Sequence, residues 1–387
     1  MAAQNHRFAV LDGWRGIAAL GVAIYHFRVY SHIAAMPGMQ GAYLFVDFFF
    51  VLSGFVISYA YGDRLARWSD IGGFAVRRFG RLWPLHAATL LFLFLFEVAK
   101  SDAARHGWLH PAHPPFDPAG FYGWASLPTN LTLIQALGIH DHLSWNTPAW
   151  SICVEFWMYA VFAVLCWSGK RSLVIGGIVC ILAGFAGLFM AGKGMNVSYD
   201  FGLFRGLAGF FLGHFTYRLS RSRLAPSRDW LGSCEFPALA AVALFLIFAG
   251  GDRITSVLAP LLFAPVVLVF AAERGAVSRA MRAAPIAYLG AWSYSIYMVH
   301  GPITDIIMSL AAAAERTLHI PLHSADQART AAPSLSFGGN AYLGDATILA
   351  YLVAVIAMSA LTYRWIEMPG RRFFNDLVSR PRVQPAE

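Results

Sequence analysis

The sequence predicts an all-α polytopic membrane protein, with about ten transmembrane helices around a central polar cavity and both termini in the cytoplasm. Of its 387 residues, 58% are hydrophobic and only 13% are charged, whereas soluble domains contain about 25% charged residues. Long apolar segments recur at lengths that suit a bilayer. Arginines gather in alternate segments between them, as they do in loops on the cytoplasmic side of a membrane.

Hydropathy places ten spans along the chain, with polar segments between them. A long loop rich in proline, histidine and tryptophan lies between the third and fourth spans, and a short basic tail follows residue 370. We expect one membrane-embedded domain over residues 1–387. The predicted spans cover about 11–30, 41–60, 82–99, 148–167, 172–191, 201–219, 236–250, 255–272, 285–309 and 343–363.

The positions of the 29 lysines and arginines predict the orientation. With the N-terminus in the cytoplasm, most of them fall on the cytoplasmic side, which predicts a multi-pass protein of the cytoplasmic (inner) membrane. This bias also accounts for the formal net charge of +8, so we do not predict nucleic-acid binding. The first apolar segment is interrupted by Arg15 and lacks a small-residue cleavage site, so we expect it to remain a helix.

The first span combines an apolar sequence with three polar residues, Asp12, Arg15 and His26. Arg15 and His26 are eleven residues apart, which is about three helical turns and roughly 16 Å of rise, so both lie on one face. Ionisable groups within a membrane usually face a polar cavity or a reaction path. His26 is the candidate base, because a neutral imidazole can take up a proton near neutral pH. The alternative is a buried histidine that bonds a backbone carbonyl.

An arginine-rich motif, RRFGR, precedes the third span and contains Arg77, Arg78 and Arg81. Arg77 and Arg81 are four residues apart and share a helical face. The planar guanidinium group can bind two phosphate oxygens at once. The motif therefore indicates a phosphate-bearing ligand, or else an ordinary cationic anchor at the cytoplasmic surface.

The second span begins near Asp47, a membrane carboxylate that needs a polar partner, and contains Ser53 and Gly54 within FFFVLSGF. Ser53 could act as a nucleophile, and Gly54 could loosen the helix to admit a ligand. Small residues in a membrane helix more often mark a close helix contact.

The fourth span carries Trp150, Ser151 and Glu155 in the sequence WSICVE. Ser151 and Glu155 are four residues apart and share a face. A glutamate inside a membrane requires a partner. We expect Arg205 in the sixth span, or Arg15 in the first, to provide it.

The sixth span contains Arg205 and the ninth contains His300, and each of these polar side chains is energetically costly to bury in a membrane. Together with the residues above they suggest a shared central polar cavity. The His140–His142 run could attract a metal, but these adjacent loop residues lack helical ligand spacing, and the four cysteines lack metal spacing. We therefore predict no metal.

Several motifs occur in an order that resembles the acyltransferase-3 family of integral membrane acyltransferases. Arg15 and His26 match its arginine–ten residues–histidine pattern, and the resemblance extends over residues 8–375. It is to the short form of the family, without an appended soluble hydrolase-like domain. The matching motifs are LDGWRGIAAL, VDFFFVLSGF, RRFGRLWP, WSICVE, FRGLAGFFLG, YSIYMVH and the E-x-P of Glu367 and Pro369.

The resemblance implies transfer of an acyl group, usually acetyl, from acyl-coenzyme A to a hydroxyl of a carbohydrate or related acceptor. It implies that His26 is catalytic, that Arg15 supports it, and that the three arginines of RRFGR contact the coenzyme. We expect Arg15 to stabilise the oxyanion or to position the donor, and Glu155 to orient His26 or a cavity arginine.

Two other functions are compatible with the same residues. A proton-coupled transporter or a flippase of lipid-linked sugars also uses intramembrane arginine, histidine and glutamate. The lack of an inverted half-to-half repeat in the sequence weighs against it. A membrane scaffold without chemistry would leave so many intramembrane ionisable groups unexplained.

Overall fold

The computed structural model describes residues 8–107, 114–118, 120–324 and 334–379, and this part of the chain is almost entirely helical. The first seven helices are α1 Ala9–His26, α2 Phe45–Tyr61, α3 Trp68–Arg105, α4 Leu127–Leu131, α5 Trp150–Trp167, α6 Lys170–Ala191 and α7 Gly202–Ser220. The others are α8 Arg228–Ser233, α9 Glu235–Ala249, α10 Arg253–Ser256, α11 Ala259–Ala271, α12 Ala276–Met281, α13 Ala284–Leu318, α14 Ala341–Thr362 and α15 Met368–Ser379.

Short irregular elements join the helices. Three 3-10 helices cover Met39–Leu44, Trp124–Ser126 and Thr147–Ala149, and a π-helical turn at Tyr363–Glu367 joins α14 to α15. Two strands of two residues each, β1 His323–Ser324 and β2 Ser334–Leu335, pair antiparallel. The predicted basic tail begins as α15, and residues 380–387 lie outside the described part of the chain.

Helix occupies all ten segments predicted as spans. Among the described residues, six helical segments are long and apolar enough to cross a membrane, and α9 and α11 are shorter apolar helices. The outward face of α6 exposes large apolar side chains, which suits lipid: Ile175, Ile178, Val179, Leu182, Phe189 and Met190. A helical membrane protein is thus confirmed, while the count of ten spans and the placement of the termini stay predictions. The six qualifying segments are Met39–Tyr61, Trp68–Arg105, Thr147–Trp167, Lys170–Ala191, Ala284–Leu318 and Ala341–Ser379.

Both ends of the described chain lie at one end of the helix assembly. Phe8, just before α1, packs edge-on against Tyr59 near the end of α2. Tyr61 packs against Phe74 of α3, and the same region of α3 contacts α15. We call this the terminal end of the assembly, and it also contains the RRFGR motif.

The third helix is longer than the sequence analysis predicted. It begins at Trp68 and continues through Pro84, so RRFGR is part of the helix rather than a lead-in to it. Pro84 removes one backbone hydrogen bond from α3. Packing of α3 against α5, α13 and α15 keeps the helix continuous there. The arginines therefore project from a rigid helix at fixed angular spacing.

Helix α2 packs closely against α7 at Gly54. A Cβ atom built on Gly54 would overlap the carbonyl oxygen of Phe210 in α7. The serine–glycine pair of the second span therefore marks a close helix contact, as small residues in membrane helices commonly do. Helix α2 is continuous through Gly54, so the idea that this glycine loosens the helix is wrong.

We predict that Gly54→Ala strongly destabilises the protein, because the added methyl group must push two backbones apart. Overpacking of this kind costs about 1–3 kcal/mol, and a clash with backbone costs more than one with a side chain. The thermal unfolding midpoint in detergent checks this. Gly72→Ala is the matched control: a Cβ on Gly72 of α3 meets nothing within 4 Å, so this variant should be as stable as the parent or more stable. An unchanged midpoint for Gly54→Ala would contradict the close contact.

Candidate active site

A cavity of about 300 Å³ lies among α1, α2, α3, α5 and α13. Its walls are mostly apolar, and its polar groups come from helices distant in sequence. The candidates Asp12, Arg15, Ser53, Ser151 and Glu155 line it. So do Arg78 and Arg81, and also four tyrosines and one further serine, which are Tyr59, Tyr159, Tyr294, Tyr297 and Ser293.

Glu155 accepts hydrogen bonds from two hydroxyl groups at the cavity wall. Ser53 Oγ donates to its Oε1 over 2.8 Å, and the hydroxyl of Tyr159 donates to the same oxygen. Ser53 and Tyr159 are themselves 3.2 Å apart. The predicted pairing of Glu155 with Arg205 or Arg15 is therefore wrong, as is the idea that Glu155 orients His26. Two neutral hydroxyl groups, one from α2 and one from α5, donate hydrogen bonds to the carboxylate instead.

The arginines of RRFGR point in different directions from α3. The guanidinium of Arg78 lies 5.3 Å from the ring centre of Tyr61 and 5.8 Å from that of Tyr159, an arrangement that favours a cation. Arg81 forms an ion pair with Glu367, whose other oxygen accepts a 2.9 Å hydrogen bond from Ser295. Arg81 is thus already neutralised by a buried carboxylate, whereas Arg78 faces the cavity between aromatic rings.

A second cavity of about 250 Å³ adjoins the first at Ala60, which lines both. Arg64 and Arg77 line it, together with Tyr61 and Asp70. Three arginines therefore follow one another from the terminal end of the assembly into the main cavity: Arg64, Arg77 and Arg78. Guanidinium groups are suited to binding phosphate, and three of them line two adjoining cavities.

Arg205 and Asp47 form a buried ion pair away from this cavity. Arg205 Nε donates to Oδ1 over 2.8 Å, and its Nη2 donates to Oδ2 over 2.7 Å. The two side chains are 3% and 0% exposed. Nη1 also donates to the carbonyl oxygen of Met195 over 2.7 Å. Asp47 thus finds its partner in Arg205, and neither residue lines the cavity around Glu155.

Trp150 belongs to this ion pair rather than to the main cavity. The guanidinium of Arg205 lies 5.3 Å from its ring centre. The arginine is thereby enclosed by an aromatic face, a carboxylate and backbone carbonyls. Such a complete set of partners is typical of a structural charge, so we assign Asp47, Trp150 and Arg205 to the stability of the fold.

His26 lies at the far end of α1 and contacts His300 of α13. His26 Nδ1 and His300 Nε2 are 3.0 Å apart, and the two rings are nearly parallel, at 13°. His300 is fully buried, and His26 is partly exposed. Close packing of α1 on α13 at Gly16, where a Cβ would meet the backbone of Leu289, brings the two helices near enough for this contact.

The described structure does not place His26 among the residues that line the main cavity. Tyr297 provides the link, since it lines the cavity and its ring packs edge-on against His300, with centroids 5.6 Å apart. Arg15 lines the cavity and forms an ion pair with Asp12 at 3.6 Å. Helix α1 is continuous between Arg15 and His26, so their Cα atoms are roughly 16 Å apart. The two residues therefore lie at different ends of α1.

The histidine run in the long loop has local partners. His140 lies 2.7 Å from the hydroxyl of Thr129, and His142 lies 2.6 Å from Asp141. In the part of the chain that the structure describes, no group of three or more histidine, cysteine, aspartate or glutamate side chains could hold a metal ion. The predicted absence of a metal stays a prediction.

The tyrosines that line the cavity were not predicted from the sequence. Tyr159 follows Glu155 by four residues, and Tyr297 precedes His300 by three, so each pair shares a helical face. This spacing was available in the sequence as a signal. Glu367 was predicted only as part of a motif, and its contact with Arg81 brings the π-helical turn between α14 and α15 to the site.

Comparison with known proteins gives a consistent family assignment. The acyltransferase-3 family, described as an acyltransferase domain, matches residues 8–364. Protein 2 in the picA locus of Rhizobium radiobacter is 36% identical over 43% of this chain and 85% of its own length. The acyltransferase MdmB of Streptomyces mycarofaciens is 24% identical over 76% of this chain and 78% of its own length.

YrhL of Bacillus subtilis, provisionally named a peptidoglycan O-acetyltransferase, is 27% identical over 78% of this chain. The match covers 49% of YrhL, so this chain spans about half the length of that relative. No solved structure matches the chain.

Proposed function

Because this chain belongs to the acyltransferase-3 family of integral membrane acyltransferases, we propose that it transfers an acyl group, chiefly acetyl, from acyl-coenzyme A to a hydroxyl group. The acceptor is a carbohydrate or a related molecule, such as a cell-surface or exported polysaccharide. The protein acts in the cytoplasmic (inner) membrane with ten spans around its cavity and both termini inside. In this orientation the terminal end of the assembly faces the cytoplasm, where coenzyme A is available.

The order of groups along the helix assembly supports this proposal more than any other observation. Arginines stand at the terminal end, an apolar-walled cavity follows, and the histidine pair lies at the opposite end of α1. An acyl-coenzyme A molecule has the same order, with phosphates first, then a long thin arm and the thioester last. The cavity volume of about 300 Å³ is at the lower end of the range for small-molecule sites.

Arg64, Arg77 and Arg78 bind the phosphates of the donor in this account. Arg81 lines the same cavity as Arg78 but is paired with Glu367, so it acts chiefly by holding α3 against the π-helical turn between α14 and α15. Glu155 fixes the hydroxyl of Tyr159, whose ring faces Arg78. Arg15 positions the donor arm, because roughly 16 Å of helix separates it from an oxyanion formed beside His26.

His26 acts as the general base in a direct transfer. It takes the proton of the acceptor hydroxyl while the acceptor oxygen attacks the thioester carbonyl carbon. The tetrahedral intermediate then collapses, the carbon–sulfur bond breaks, and the sulfur of coenzyme A leaves. The protonated imidazole returns its proton to that sulfur, so the products are an acyl ester and coenzyme A, with His26 neutral again.

Purified protein in detergent, mixed with radiolabelled acetyl-coenzyme A and a panel of glycans, tests this function. The panel contains peptidoglycan fragments, a glucan oligosaccharide and lipopolysaccharide. We expect label in at least one glycan and a rise of the thermal unfolding midpoint with acetyl-coenzyme A alone. If saturating acetyl-coenzyme A neither raises the midpoint nor labels any glycan, the proposed donor is wrong.

We predict that Arg78→Ala raises the KM for acetyl-coenzyme A and leaves kcat nearly unchanged. A hydrogen bond to a charged group contributes about 1.5–3 kcal/mol, so the expected increase is roughly 10- to 100-fold. Steady-state kinetics with varied donor concentration checks this. Arg223→Ala removes an exposed arginine after α7 and should change neither constant. Equal KM values for Arg78→Ala and the parent would contradict phosphate binding by Arg78 and would favour the alternative, in which the RRFGR arginines are cationic anchors at the membrane surface.

A further inference from the structure

We propose that His300 is a positioning residue that fixes the tautomer of His26, so that His26 presents the lone pair of Nε2 to the acceptor hydroxyl. The proposal rests on the proposed function, in which His26 is the base. It assigns a purpose to a buried histidine that the transfer mechanism above does not use. Each neutral imidazole ring carries a single N–H proton.

The position of the proton on His300 follows from its backbone partner. Nδ1 of His300 lies 3.3 Å from the carbonyl oxygen of Ile296, one turn earlier in α13. A carbonyl oxygen can only accept a hydrogen bond, so Nδ1 must carry the proton. A neutral imidazole has one N–H group, and Nε2 of His300 is therefore an acceptor.

The proton position on His300 determines the proton position on His26. Nε2 of His300 lies 3.0 Å from Nδ1 of His26. Since Nε2 of His300 accepts, Nδ1 of His26 donates, and the lone pair of His26 is left on Nε2. The carbonyl oxygen of Val22, one turn earlier in α1, is a second acceptor for the His26 ring and favours the same tautomer. A base needs one orientation and one tautomer, and the partner of its other ring nitrogen fixes both.

Hydrogen bonds from neighbouring side chains hold the backbone of His300 in place. Its carbonyl oxygen accepts a 2.9 Å hydrogen bond from Thr304 Oγ1 and a 3.3 Å bond from the hydroxyl of Tyr351. The hydroxyl of Tyr351, from α14, shares its one hydrogen between this oxygen and the carbonyl oxygen of Ala23 in α1, which is also 3.3 Å away. Three helices are thus tied together around the histidine pair, whose one partly exposed member is His26.

The contact also matters during proton transfer. When His26 takes the proton of the acceptor, both of its ring nitrogens become donors. The new cation then keeps an acceptor for its Nδ1–H in Nε2 of His300, while its Nε2–H faces the leaving sulfur. The proton goes to that sulfur and not to His300, so His300 ends each cycle in its starting form.

Two substitutions separate the contact with His26 from the contact with the backbone. In His300→Gln, the amide reaches about as far as Nε2, so its oxygen can still accept from His26. In His300→Asn, the amide reaches about as far as Nδ1, so it keeps a partner in Ile296 and loses His26. We expect His300→Asn to lower kcat by roughly 10²-fold, His300→Gln to retain most of kcat, and both to keep the KM for acetyl-coenzyme A.

The proposal is overturned if His300→Asn retains the kcat of the parent, or if both variants lose kcat equally while remaining folded. Should neither variant fold, ¹⁵N NMR of the wild-type protein decides, with the His26 signals identified by their loss in His26→Ala. We expect a protonated Nδ1 and an unprotonated Nε2 on His26, and the reverse assignment overturns the proposal. If His26→Ala itself transfers acetyl normally, then the proposed function fails rather than this inference alone.

Discussion

His26→Ala should lower the rate of acetyl transfer by about 10²- to 10⁴-fold, which is the contribution of a positioned general base. The side chain is partly exposed at the end of α1. Its truncation leaves Nε2 of the buried His300 without its hydrogen-bond partner, at a cost of about 1–3 kcal/mol, which is small for a protein of this size. We therefore expect the variant to fold, to keep the unfolding midpoint of the parent within a few degrees, and to bind acetyl-coenzyme A normally. Transfer of label to the glycan that the wild-type protein acetylates measures the effect.

The control for this experiment is His106→Ala. His106 follows α3, and its side chain is 56% exposed, so its loss should change neither transfer nor stability. Normal transfer by His26→Ala would remove His26 from the mechanism. A variant that loses transfer only because it unfolds would be recognised by its lowered midpoint.

Arg205→Met should produce the largest loss of stability. It leaves the carboxylate of Asp47, which is 0% exposed, without its bidentate partner, and it removes a donor from the carbonyl oxygen of Met195. Breaking a buried ion pair by removing one partner costs about 3–5 kcal/mol. Thermal unfolding in detergent should show a strongly lowered midpoint or a failure to purify as a folded protein.

Two further variants test the cause of that loss. Lys170→Met breaks an exposed pair with Asp63 at the surface, and such pairs contribute little, so its midpoint should equal that of the parent. Arg205→Met combined with Asp47→Leu removes both buried charges and should recover much of the stability. If Arg205→Met is as stable as the parent, the pair does not hold α2 against α7.

The sequence predicted the helical segments well, because a membrane requires long apolar runs and their boundaries are visible in hydropathy. Every predicted span falls on a helix. The length of α3 was underestimated, since a charged stretch and Pro84 precede its apolar part while tertiary packing keeps the helix continuous. Several ionisable residues that line the cavity were also predicted, because an ionisable group inside a membrane is costly wherever it lies. The same argument grouped Asp47, Arg205 and His300 with them, and these three do not line the cavity.

Pairings between helices could not be predicted, because hydropathy contains no information on which spans are neighbours. Asp47 and Arg205 are 158 residues apart, and His26 and His300 are 274 residues apart. Glu155 was expected to need an arginine, yet two hydroxyl groups satisfy it. A prediction based on charge does not consider a tyrosine hydroxyl, because this group is neutral. Tyr159 nevertheless lies four residues after Glu155, on the same helical face.

The structure also separates two residues that the sequence grouped together. Arg15 and His26 share a face of α1, but Arg15 lines the cavity with the arginines and His26 contacts His300. A shared face specifies direction around a helix and not position along it. This separation is the reason that donor binding and proton transfer are assigned to different ends of the site.

The dissociation constant of acetyl-coenzyme A, measured by calorimetry in detergent for the wild-type protein, His26→Ala and Arg78→Ala, tests that division most directly. It requires no knowledge of the acceptor. We predict that His26→Ala binds as the wild-type protein does, and that Arg78→Ala binds roughly 10- to 100-fold more weakly. Weakened binding by His26→Ala to the same extent, or unchanged binding by Arg78→Ala, would contradict the account.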